Sequence, residues 1–349
     1  MDIKTTFFIK KKPFITPTII LKQVISYIKA IAMSNIKGKK ASLDKTTKAL
    51  LDELAKSDQK PLSEMTPQYG RQVSRFLTSL SGPAPDIRSK EDYNIQSREG
   101  SITVRVLKPQ GTPKSVIIFY HGGGWVIGDI DGYDTFARWF ANITQSIVVL
   151  PNYRKAPEHR FPAAVNDAYY TLLWTKENLR SIAGKELPII VAGDSAGGNL
   201  AAVVSIKARD NGVPGIAAQI LVYPVADCEL NRPSYVNPEN HLLLSRDSMI
   251  WFWNHYIPDE SKRSHPEASP LKAGRLSDLP PAIILTAGFD PLHDEGAMYA
   301  AKLIKGGVPV IYKDYEDQSH NFFVMIKTLP RSEEAIRFVA AAIDIYLAH

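Results

Sequence analysis

At 349 residues, with 44% hydrophobic and 22% charged side chains, the chain has the composition of a folded globular protein, long enough for one large domain with an insertion or for two domains. Its net charge of +6 is uneven: residues 1–40 carry nine lysines against Asp2 alone, a net of +8, which leaves the remainder at −2. A slightly acidic body argues against a nucleic-acid-binding main domain, and the single cysteine, Cys228, excludes an intrachain disulfide and fits a reducing, cytoplasmic setting.

In chain order, the basic tail comes first. Residues 14–33, "FITPTIILKQVISYIKAIAM", are apolar behind Lys10, Lys11 and Lys12, as in a signal peptide, but Lys22, Gln23 and Lys29 interrupt the run and make it a poor secretory or spanning segment. Wound as a helix, Ile20, Val24, Ile28 and Ile31 share a face, the pattern of a helix lying peripherally on an anionic membrane surface. The same residues fit an unordered extension, or a start placed ahead of a true start at Met33.

Residues 41–85 read as two helices that contribute to a cap. The first spans "SLDKTTKALLDELAKS", with Leu50, Leu51 and Leu54 on one face. The second starts at Thr66-Pro67, continues through Val73, Phe76, Leu77 and Leu80, and stops at Gly82-Pro83. "YNIQSREGSITVRVLKP" then alternates as strand does, with Ile102, Val104 and Val106 on one face and a turn at Glu99-Gly100. From there six short apolar runs, "SVIIFY", "SIVVL", "LPIIVA", "AAQILVY", "AIILTA" and "VIYKDY", alternate with helical stretches at 162–176, 199–210, 292–305 and 331–347. Continuous β-branched runs separated by helices are parallel strands buried on both faces, which makes residues 86–227 and 279–349 an α/β domain. Residues 228–278 are too long for an ordinary connection and read as a cap insertion with a helix near 245–256.

"GDSAG" fits G-x-S-x-G and has the required context, a strand before and a helix after. Alone, the motif leaves Ser195 either a nucleophile or a helix N-cap. A serine nucleophile needs a base and an orienting acid, which in the serine–acid–histidine order must follow it, each after a strand. His320 alone meets that condition among the histidines. His121 precedes the serine and braces its loop, His159, His241, His255 and His265 fall in connections or the insertion, His293 starts a helix, and His349 is terminal. Asp290 follows "AIILTAG" directly and is the favoured acid over Asp294 and Glu295, which lie about a turn into the next helix. "HGGGW" after the first buried strand supplies small residues whose N–H groups can face an oxyanion. The hole is assigned to Gly123, Gly124 and Ala196. A phosphate cradle is the weaker reading, because the loop lacks the G-x-x-x-x-G-K-[ST] spacing. Trp125 beside that loop, and Trp251, Phe252 and Trp253 in "MIWFWNHY", are candidates for lining a substrate pocket or, equally, for packing the cap.

These motifs, "HGGGW", "YRKAPEHRFPAAVND", "GDSAGGNLA", "DPLHDEG" and "SHNF", occur in order over residues 44–349 and resemble the hormone-sensitive-lipase-like branch of α/β-hydrolases. The resemblance implies a mostly parallel eight-stranded sheet with a helical cap, and hydrolysis of short- to medium-chain esters of small molecules by a Ser195–His320–Asp290 triad. It calls for no metal or organic cofactor. Amide or acetyl hydrolysis and a membrane-surface lipase are the alternatives; a small-molecule receptor is the fate of family members lacking the histidine, which is present here. Lys155 stands where the family usually has leucine, which reads as a surface-compatible change. Glu158 and Asp167 read as structural. Monomer and homodimer both fit.

Overall fold

A computed structural model describes residues 41–56, 60–97 and 100–348. The tail at residues 1–40, with its proposed membrane-surface helix, lies outside the described residues. Eight strands form one sheet: β1 (Ser89–Ser97), β2 (Gly100–Lys108), β3 (Ser115–Tyr120), β4 (Ser146–Pro151), β5 (Ile189–Asp194), β6 (Ile216–Val222), β7 (Ala282–Phe289) and β8 (Val310–Ser319). Their order is β1-β2-β4-β3-β5-β6-β7-β8. The β1–β2 and β2–β4 pairings are antiparallel and the remaining pairings parallel, so the sheet is mixed but mostly parallel.

The helices are α1 (Lys45–Leu54), α2 (Pro67–Ser79), α3 (Asp134–Thr144), α4 (Ala163–Glu177), α5 (Leu179–Ala183), α6 (Ala196–Asp210), α7 (Pro233–Val236), α8 (Arg246–Tyr256), α9 (His293–Lys305) and α10 (Pro330–Leu347). Strand alternation divides the core in two. Val116, Ile118 and Tyr120 of β3, with Val191 of β5 and Ile284 of β7, pack in one layer with α4, α6, α9 and α8. Ile117, Phe119, Ile190 and Ile283 face a second layer with α3 and α10. Both faces of the central strands are therefore dry, and this is why their sequences read as unbroken apolar runs.

Helix α3 has no counterpart in the sequence reading, although Phe136, Ala137, Phe140 and Ala141 are buried at helical spacing. The strand read from Tyr93 begins earlier, at Ser89. Asp44 caps α1 by accepting from the N–H groups of Thr46 and Thr47, and α1 docks near the end of β8, where Thr47 Oγ1 donates to Gln318 Oε1 at 2.9 Å. Ser245 starts α8 by capping Ser248 N. The two helices read together at residues 41–85 part company here. The segment before α2 meets the insertion through Trp251 Nε1 donating to Met65 O at 3.1 Å, and α2 itself comes close to Trp251 at Gly70.

Candidate active site

Ser195 joins β5 to α6 at φ 55° and ψ −120°, a sparsely populated conformation for a side-chain-bearing residue. Its neighbours explain how the turn closes. A Cβ on Gly197 would lie 1.9 Å from Tyr120 O, and one on Gly193 would lie 2.3 Å from Gly197 C, so both motif positions need the missing side chain. Ser195 N donates to Val222 O at 2.9 Å, and Ser195 O accepts from Val225 N at 3.2 Å, tying the turn to the end of β6. Asn199 Nδ2 adds bonds to Val225 O and Ala268 O.

His320 follows β8 and Asp290 follows β7. His320 Nε2 lies 3.1 Å from Ser195 Oγ, and its Nδ1 lies 2.7 Å from Asp290 Oδ2. The carboxylate accepts the Nδ1 proton, which leaves the Nε2 lone pair facing the serine hydroxyl. Asp290 Oδ1 accepts from Leu292 N at 2.9 Å, fixing the carboxylate plane. The Tyr223 ring packs 4.6 Å from the imidazole. The rival acids are engaged elsewhere: Asp294 accepts from Ser234 N and contacts His293, and Glu295 accepts from Ala226 N at 2.8 Å. Burial pushes the Glu295 carboxyl well above the ordinary range.

The glycine loop reaches the same point from β3. Gly123 and Gly124 have φ of 109° and 56°, and their N–H groups, like that of Ala196 in the first turn of α6, have no protein acceptor among the described residues. The loop is held from behind by a group the sequence reading passes over. Asp194, the x of G-x-S-x-G, is fully buried and accepts from Gly122 N at 2.9 Å and from Tyr133 OH at 3.0 Å. Burial raises its carboxyl to about 6, against the bonds from Tyr133 and Gly122. Its position in the motif was the available signal; nothing in the local pattern points to Tyr133.

His121 braces the loop as expected. Its ring stacks on Tyr153 at 4.3 Å, Nδ1 is 2.7 Å from Gly122 O, and burial lowers it to about 3, which keeps it neutral. Glu158 is bidentate to Arg71, which holds it at about 2, and Asp167 is buried on Arg154. Lys155 departs from the surface reading: it is half-buried, and desolvation lowers its ammonium to about 8.

The aromatic candidates separate. Trp125 is fully buried, stacked on Tyr256 at 4.2 Å with Trp253 at 5.0 Å, and Trp251 is turned toward Met65. Phe252 meets the glycine loop, its ring filling the space where a Gly124 Cβ would stand, 2.1 Å from Cδ1. Of the three aromatics in "MIWFWNHY", Phe252 is the one whose ring lies against Gly124, because successive helical residues point to different sides. Among the described residues no cluster of His, Cys, Asp and Glu is arranged to hold a metal, and no helix is long and apolar enough to cross a membrane.

The chain is similar to known ester hydrolases. The chain is 36% identical to the carboxylesterase NlhH of Mycobacterium tuberculosis over 302 residues, 84% of this chain and 92% of the relative. It is 30% identical to an ethyl acetate hydrolase of Pseudomonas putida, over 79% of this chain and 89% of that protein. Among solved structures, the ester hydrolase EH1AB1 from the metagenome of Lake Arreo, complexed with a bipyridine phosphonate derivative, superposes with a TM-score of 0.82 at 34% identity, over 88% of this chain and 99% of that one. A family model described as the alpha/beta hydrolase fold matches residues 117–324, and the chain belongs to the α/β-hydrolase family, in its hormone-sensitive-lipase-like branch.

Proposed function

We propose that the protein is a carboxylesterase that hydrolyses small esters of short to medium acyl length through an acyl-enzyme on Ser195. Ser195 Oγ attacks the ester carbonyl while His320 Nε2 takes its proton, and the carbonyl oxygen gains negative charge facing the N–H groups of Gly123, Gly124 and Ala196. His320 then returns the proton to the leaving alcohol. Water, deprotonated by the same nitrogen, releases the acid and restores the serine. Asp290 keeps the proton on Nδ1 and stabilises the imidazolium that forms in each half-reaction.

The observation that carries the reading is the unbroken chain from Ser195 Oγ through His320 to Asp290, at 3.1 Å and 2.7 Å. It is supported by the positive φ of the serine turn and by the glycine-loop N–H groups that have no acceptor among the described residues. The test is hydrolysis of p-nitrophenyl esters from acetate to palmitate by the wild type and Ser195→Ala, with folding followed by circular dichroism. Wild-type activity is expected to peak at short chains, and the folded variant to lose roughly 10⁶-fold in kcat. A folded Ser195→Ala protein with wild-type turnover overturns the mechanism; equal rates on acetate and palmitate overturn the chain-length preference.

A further inference from the structure

A cleft of about 450 Å³ opens behind the glycine loop, between α2, the β1–β2 hairpin, residues 129–131 and the segment after β4. It is rich in charge, but nearly all of that charge is internally paired. Asp92 and Asp131 are engaged by Arg105 at 2.8 Å and 3.0 Å, and Asp129 by Arg75 at 2.9 Å. Arg71 is bidentate to Glu158. Lys155 is the exception: among the described residues its ammonium has no carboxylate partner, donates to Asn152 Oδ1 at 2.8 Å and Tyr153 O at 3.3 Å, and lies 5.7 Å from the centroid of the Tyr153 ring.

An ammonium has three N–H donors, of which two are accepted by Asn152 and Tyr153, and the Asn152 amide nitrogen, which also lines the cleft, has no acceptor among the described residues. The cleft thus offers two donors, the Lys155 ammonium and the Asn152 amide, beside its paired carboxylates. We propose that this cleft is a second binding site, for a small organic monocarboxylate held by the Lys155 ammonium and the Asn152 amide. A carboxylate presents two acceptor oxygens to these two donors. Its wall is continuous with the catalytic loop: Arg71 Nε donates to Val126 O at 2.9 Å, and Asp129 accepts from Gly132 N at 2.8 Å. The site needs no assumption about the reaction at Ser195.

The test is calorimetric titration of the full chain with butyrate, butyramide and inorganic phosphate, using the wild type, Lys155→Leu and Asn152→Asp, each checked for folding by circular dichroism. Saturable binding of butyrate by the wild type is expected in the region of about 1 mM, with no binding of neutral butyramide. Lys155→Leu is expected to weaken it about tenfold or more, and Asn152→Asp to abolish it by pairing the ammonium internally. Butyrate bound near Ser195 would persist in both variants, so the difference isolates the cleft. Identical isotherms for wild type and Lys155→Leu, or no saturable binding by the wild type, overturn the proposal. Tighter binding of phosphate than of butyrate overturns the assignment to a monocarboxylate.

Discussion

Asp194 stands directly before Ser195, and its carboxylate is the buried post on which the glycine loop hangs, through Gly122 N and Tyr133 OH. Such a post has a measurable cost. Its carboxyl titrates at about 6 in the fold against 3.8 ordinarily, because burial penalises the charge. Between those values the folded state holds a proton that the unfolded chain has released, so stability falls as pH rises through the window, by at most about 3 kcal/mol. Asp194→Asn removes that ionisation. Its stability relative to wild type, from urea unfolding near pH 4 and again near pH 7, is expected to rise with pH; the same difference at both would show that Asp194 titrates alike in the two states. The motif marks this position only as x. The chemistry of the post became visible when the loop from β3 was seen to arrive at it.

The turn between β7 and α9 sets the acid of the triad, and it is clamped at its far side by His293. That ring lies 3.2 Å from both Asp294 and Asp314, on α9 and β8. Burial opposes its charge, but the bonds to the two carboxylates outweigh it and raise the imidazole to about 10. A histidine raised in this way stabilises the fold fully below its ordinary value of 6.5, and that contribution is lost as pH rises through about 10. His293→Gln is therefore expected to melt below wild type near neutral pH, with the gap closing above about pH 10. A gap that stays constant across the range would show that the clamp works by packing rather than charge. The sequence placed His293 at a helix start and set it aside. That placement is right, but the partner Asp314 is 21 residues away on another strand, which periodicity does not register.

For the molecule as a whole, the two core layers on either side of the sheet place the ends of β3, β5, β7 and β8 together, and residues 43–349, which carry the triad, form one compact unit. A protein lacking residues 1–40 is accordingly expected to fold and to keep wild-type kcat/KM on soluble p-nitrophenyl acetate. Comparing it with the full chain for sedimentation with anionic vesicles tests the basic tail separately. Loss of activity on the soluble ester would show that the tail contributes to the site.

The sequence by itself determined the alternation of buried strands and helices, the serine turn with its glycines, and the order serine, acid, histidine. Each of these is local: a run of β-branched residues, a strand-to-helix junction or a residue just past a strand carries its structural meaning within a few positions. The tertiary structure alone decided which carboxylate faces His320, that Phe252 rather than its tryptophan neighbours lies against Gly124 of the glycine loop, that Tyr133 and Asp194 hold that loop, and that Lys155 looks into a cleft instead of out to solvent. These depend on side chains brought together from distant segments, Ser195 and His320 being 125 residues apart. A helix directs successive residues to different sides, and only the packing of the whole shows what waits on each side.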